Sequence, residues 1–126
     1  MSAPLVLLVD DEPVLLRLLE INLRTAGFEV RTASNGAAAV EAATAERPDV
    51  VVLDLGLPDR GGWETLRRLR AFAGVTEAPV IVLSGLDRDA AGVPGYAAGV
   101  HAFLVKPVDP ADLVETIRRA LAERDG

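Results

Sequence analysis

Apolar positions along this chain follow two alternating rhythms. Three short runs, Leu5–Val9, Val50–Leu53 and Val80–Leu83, have almost no polar interruption, the pattern of strands buried on both faces. Extending the last two to Asp54 and Ser84, and adding Glu29–Ala33 and Ala102–Val105, gives five predicted strands. Longer stretches with helical spacing lie between them. The first predicted helix opens at Asp11-Glu12-Pro13 and closes at Ala26-Gly27, with Pro in an early turn and Gly past the end. A second follows Asn35-Gly36 and ends near Arg47-Pro48; a third follows Gly61-Gly62 and runs to about Ala71. The last opens at Asp109-Pro110, an N-cap followed by Pro at N1, and carries Leu113, Ile117, Ala120 and Leu121 at helical intervals to about Arg124. The alternation also predicts a helix over Asp87–Ala98. Gly92, Pro94 and Gly95 interrupt it, at roughly 1 kcal/mol per Gly and 3 kcal/mol per Pro, so this element is expected to be short, bent or mobile.

Strict alternation of strand and helix implies a parallel sheet with right-handed crossovers and helices on both faces. Five of each suit an α/β, flavodoxin-like doubly wound sheet of order 2-1-3-4-5, with a weak or distorted fourth helix. Its site belongs at the carboxyl ends of the strands, beside the point where the strand order reverses.

Composition narrows the function classes. A length of 126 residues, half of them hydrophobic, makes one cored domain with no room for a second. The absence of cysteine excludes disulfides, zinc–thiolate sites and thiol catalysis. Thirteen basic against nineteen acidic residues give a net charge of -6, which argues against direct nucleic-acid binding. The opening Met1-Ser2-Ala3-Pro4 carries no basic side chain, and the first apolar run stops at Asp10; neither a signal peptide nor a membrane span is expected. The chain reads as a cytoplasmic, single-domain protein. Lys106 is its only lysine, beside twelve arginines.

The candidate chemistry lies at strand ends. Asp10 and Asp11 follow the first strand and Asp54 ends the third, and strands one and three are neighbours in the expected order. Three clustered carboxylates repel unless a cation is present. A hard divalent ion with oxygen ligands suits them: magnesium, with manganese as a second candidate. Either Asp10 or Asp11 alone would serve equally as the first helix's N-cap, but a cap needs one acid. Ser84 ends the fourth strand and Lys106 the fifth, on the same edge. Ser84 would also serve as a turn residue, and Lys106 as a snorkelling surface cation. A chain that elsewhere uses only arginine makes the second role strained, since a compact ammonium and a planar guanidinium differ in size and hydration.

Asp10-Asp11, Asp54 with Leu57-Pro58 and Gly61-Gly62, Ser84-Gly85 and Lys106-Pro107 together resemble the receiver domain of bacterial two-component response regulators, from about Leu5 to Leu121. The resemblance implies that Asp54 accepts a phosphoryl group from the phosphohistidine of a histidine kinase or phosphotransfer protein. It implies magnesium ligation by the Asp11 and Asp54 side chains and the Gly56 carbonyl, with Asp10 reaching the ion directly or through water. Lys106 and the Ser84 hydroxyl would contact phosphoryl oxygens, Lys106-Pro107 would be a cis peptide, and Phe103 would be the switch aromatic, although a strand Phe is as often core. The chain would assist its own phosphotransfer and dephosphorylation without being a turnover enzyme. Its output partner, its oligomeric state and any larger regulator around it stay open.

Several readings compete or refine this one. A phosphatase with an aspartyl-phosphate intermediate would want a second acid two residues after its nucleophile, where Gly56 stands. A degenerate receiver used as a phosphorylation-independent scaffold is the other alternative. The family often carries polar side chains at the positions of Gly56 and Leu86, so slow self-dephosphorylation is expected. On the first helix, Val14, Leu18 and Ile21 form a second apolar stripe. Contact with the last helix is expected for Leu18 and Ile21, and partner docking for Val14. Trp63 is either a partner contact or the start of the third helix packing down. His101 is assigned no role.

Overall fold

A computed structural model describes residues 3–59, 61–85 and 99–125. In chain order the elements are β1 (Leu5–Val9), α1 (Pro13–Thr25), β2 (Glu29–Ala33), α2 (Gly36–Ala45), β3 (Val50–Asp54), α3 (Gly61–Phe72), β4 (Val80–Ser84), β5 (Val100–Val105) and α4 (Pro110–Asp125). The five strands form one sheet of order β2-β1-β3-β4-β5, every pair parallel. The expected strand order, and with it the flavodoxin-like fold, is the observed one. The expected helix over Asp87–Ala98, with Gly92, Pro94 and Gly95, lies outside the described residues, as does Leu86. Four helices stand among those described.

Element ends follow local chemistry. Pro13 opens α1, and Gly27 turns the chain out of it at φ 102°, a conformation cheap only without a Cβ. Asn35 caps α2 by accepting the Ala38 N–H at 2.8 Å. The third helix starts on Gly61 rather than after Gly62. The fifth strand starts at Val100, two residues before the expected Ala102, and its pairing with β4 is irregular between Val80 and Ile81.

The sheet divides two apolar layers. On one side Leu19 and Leu23 of α1 and Leu113, Ile117 and Leu121 of α4 pack against Val6, Leu8, Val50, Val52, Ile81 and Leu83. On the other, Ala39 and Ala43 of α2 and Leu66 and Leu69 of α3 pack against Leu7, Val9, Val51, Leu53, Val80 and Val82. The three central strands β1, β3 and β4 are buried along their whole length, which is why they read as unbroken apolar runs. On the second stripe of α1, Leu18 and Ile21 depart from the contact with the last helix expected of them. Leu18 and Ile21 stay 46% and 48% exposed and Val14 84%. The neighbours that pack against the α1–α4 layer are instead Leu15 and Leu16.

Candidate phosphoacceptor site

The carboxyl ends of β1, β3, β4 and β5 deliver the expected side chains to one edge. Asp10 follows β1 and is fully buried, Asp54 ends β3 and is 4% exposed, and Asp11 is exposed. One carboxylate oxygen from each of the three lies within 4.8 Å of the others. Neither Asp10 nor Asp11 is the N-cap of α1; Glu12 holds that position. Asp10 Oδ1 accepts the Glu12 N–H at 2.9 Å, an Asx-type turn that ends β1. Asp10 Oδ2 is buried and has no aligned hydrogen bond, although Lys106 Nζ stands 3.1 Å away as an ion pair.

Lys106 follows β5, its side chain 16% exposed. Its N–H donates to the Ser84 carbonyl at 2.7 Å, fixing β5 to the end of β4, and Lys106-Pro107 is a cis peptide. The ammonium lies 2.8 Å from Glu12 Oε1, 3.1 Å from Asp10 Oδ2 and 3.4 Å from Asp54 Oδ2. Burial works against its charge, but the hydrogen bond to Glu12, the close contact with Asp10 and the charges of Asp10 and Asp54 outweigh it, so the ammonium holds its proton more tightly than an ordinary lysine. Asp54 shifts upward. Burial is the main cause, opposed by the Gly56 N–H and Lys106 and reinforced by the charge of Asp10 and a hydrogen bond with Asp11. Gly56 donates to Asp54 Oδ1 at 3.1 Å, and a Cβ at this glycine would stand 3.7 Å from the same oxygen. Ser84 is buried at the end of β4, where Asp54 pairs with Leu83.

Phe103 is not a core side chain. It is 40% exposed, and its ring lies 6.2 Å from that of Trp63, tilted by 60°. Trp63 in turn packs against the α2–α3 layer, so the start of α3 packs down, as one of its two readings held. His101 meets Glu123 at 3.8 Å, away from the cluster.

Two residues of this edge escaped sequence reading. Glu12 stood only as part of the Asp11-Glu12-Pro13 helix opening, and nothing local ties it to a lysine 94 positions on. Asp59 accepts from the Gly36 and Ala37 N–H groups at 2.9 and 3.0 Å, so the loop after Asp54 also caps α2. Its signal, a Pro-Asp pair before glycines, reads only as a turn.

The arrangement suits a hard cation. Its donors are carboxylate oxygens from three positions, and one of them, Asp10 Oδ2, is buried without an aligned donor; oxygen-only ligation of this kind fits magnesium. No helix among the described residues is long and apolar enough to cross a membrane.

Residues 6–118 match the family described as the response regulator receiver domain. The transcriptional regulatory protein KdpE of Mycobacterium tuberculosis is 45% identical over 117 residues, covering 93% of this chain and 50% of the relative. The chain thus spans about half the length of this curated relative. A CheY-like receiver domain from Methanospirillum hungatei superposes with a TM-score of 0.87 at 28% identity, covering 98% of each chain. The receiver domain of the sensor histidine kinase PA1611 from Pseudomonas aeruginosa, with magnesium coordinated in its active-site cleft, superposes with a TM-score of 0.84 at 30% identity, covering 96% of this chain and 99% of the other.

Proposed function

The chain belongs to the response regulator receiver domain family of two-component signalling, and from that premise we propose that Asp54 is its phosphoacceptor. Receiver domains are phosphorylation-controlled switches rather than turnover enzymes. The observation that carries the assignment to Asp54 is the meeting of three carboxylates and the chain's one lysine at a single sheet edge.

In this reading an Asp54 carboxylate oxygen attacks the phosphorus of a phosphohistidine. An oxygen–phosphorus bond forms, the phosphorus–nitrogen bond breaks, and the imidazole nitrogen keeps the electron pair. Positioning and charge neutralisation dominate such transfers. The Gly56 N–H holds Asp54 Oδ1 in place, and Lys106 offers its ammonium to the transferred group. A single ammonium–anion pair is worth about 4 kcal/mol gross at roughly 4 Å with an effective dielectric of roughly 20. Asp10, Asp11 and Asp54, with the Gly56 carbonyl, would hold magnesium, which when bound neutralises charge on the phosphoryl oxygens. Ser84 is read as the hydroxyl drawn toward the aspartyl phosphate. Phe103, already at the surface against Trp63, is read as the ring that answers it by turning inward, a small repacking of a two-state element.

The phosphodonor is a histidine kinase or a phosphotransfer protein. The exposed stripe Val14, Leu18 and Ile21, beside the site on α1, supplies the apolar surface on which it would dock. The reading places the chain in the cytoplasm, as one receiver domain that controls a separate output.

Incubation with acetyl phosphate and magnesium tests the proposal. One stable phosphate on Asp54, absent in Asp54→Asn, supports it. Catalytic turnover points instead to a phosphatase, and absence of modification to a scaffold.

A further inference from the structure

Glu12 is the N-cap of α1, yet its side chain accepts no hydrogen bond from the helix it opens. An N-cap side chain ordinarily accepts an N–H from the first turn. This one leaves the helix and lies 2.8 Å from Lys106 Nζ. Asp10 arranges the meeting, since Oδ1 holds the Glu12 N–H and Oδ2 faces the same ammonium. Of the three carboxylates around Lys106, the closest is the one outside the acidic cluster. Exposure separates them further. The Glu12 side chain is 59% exposed, against 0% for Asp10 and 6% for Asp54.

We propose that Glu12 is a positioning residue that holds Lys106 in the unphosphorylated protein and yields it to the phosphoryl group. The proposal rests on Asp54 being the phosphoacceptor. On phosphorylation the ammonium exchanges an exposed carboxylate for a phosphoryl oxygen. Only hydrogen bonds change. Glu12 is the partner that can be released at little cost, because its carboxylate returns to water and exposed ion pairs are weak. Releasing Asp10 or Asp54 instead would strand a buried charge. Glu12 is therefore a built-in competitor of the phosphoryl group, and its negative charge sets how readily the lysine transfers.

Because Lys106 is the only lysine, lysine-selective 15N labelling gives a single side-chain ammonium signal. It is recorded for the wild type, Glu12→Gln and Glu12→Asp with magnesium, then during titration with beryllium trifluoride as the phosphoryl mimic. Glu12→Gln is expected to move the signal and speed its proton exchange before the mimic is added, and to coincide with the wild type once the mimic is bound. Mimic affinity rises by about two- to fivefold, with the shorter Glu12→Asp in between. A signal that Glu12→Gln leaves unmoved, an equal difference before and after the mimic, or a loss of mimic affinity overturns the exchange. A wild-type signal that ignores the mimic, together with no acetyl-phosphate labelling of Asp54, overturns the parent reading and the exchange with it. A wild type that responds leaves the parent reading standing, whatever Glu12→Gln does.

Discussion

Gly62 sits directly on Leu55: its N–H donates to the Leu55 carbonyl at 3.0 Å, and a Cβ there would lie 2.6 Å from Leu55 Cα and 2.7 Å from the Asp54 carbonyl oxygen. The first turn of α3 is thereby seated against the backbone that presents Asp54. Backbone cannot retreat as a flexible side chain can. Gly62→Ala is expected to destabilise the fold by about 3 kcal/mol, on the order of 10 °C in melting temperature, as thermal denaturation followed by circular dichroism would show.

Asp59 gives a second mechanical link. Asp59→Ala removes the acceptor of two N–H groups at the start of α2 and is expected to cost about 1–2 kcal/mol. Urea denaturation should show a lower midpoint with an unchanged slope.

The upward shift of Asp54 has a definite sign in stability. Its carboxyl ionises less readily folded than at its ordinary value of 3.8. A raised folded value means that the charged form is disfavoured by folding. The penalty is absent below 3.8, grows as pH rises toward the folded value, and is complete above it. Asp54→Asn is therefore expected to melt higher than the wild type at neutral pH without divalent ions. The gain should disappear in acid below the ordinary carboxylate range and shrink when magnesium is added. Melting curves at a series of pH values check this; a constant difference across the series would contradict it.

The glycine against the acceptor has a kinetic consequence. Gly56 offers no side chain to orient a water near Asp54, although a Cβ there would be only 3.7 Å from Oδ1. Wild-type aspartyl phosphate is expected to persist, and Gly56→Asn to shorten its lifetime several-fold, because an amide at this position can hold the attacking water. Decay of 32P label with magnesium present measures both, and loss within seconds in the wild type would contradict the expectation.

Lys106→Arg keeps the charge but not its shape. A planar guanidinium is bulkier and its donors diverge, so it cannot sit at 2.8, 3.1 and 3.4 Å from the same three carboxylates. Phosphorylation of Asp54 by acetyl phosphate is expected to fall at least tenfold, about 1.4 kcal/mol in the barrier, with the fold intact by circular dichroism.

These sites differ in how visible they are to sequence reading. The central strands announce themselves because both faces are buried, and periodicity has nothing else to encode there. That Asp10, Asp11, Asp54, Ser84 and Lys106 would gather at one edge was legible because a parallel sheet puts every strand's carboxyl end there, so topology alone collects them. The start of β5 was not, because Val100 and His101 carry no continuous apolar run. Glu12 and Asp59 were invisible for another reason. Each acts through one contact across a large sequence gap, and such a contact leaves no local pattern. The exposure of Leu18 and Ile21 was misjudged because periodicity gives the faces of α1 but not which of them α4 reaches.

Trp63 is the only indole in the chain, and it rests against Phe103. Any swing of that phenyl ring changes the polarity and quenching around a single fluorophore. The single indole is thus a built-in optical gauge of that ring, and a shift in ultraviolet emission would time any such swing without an attached dye.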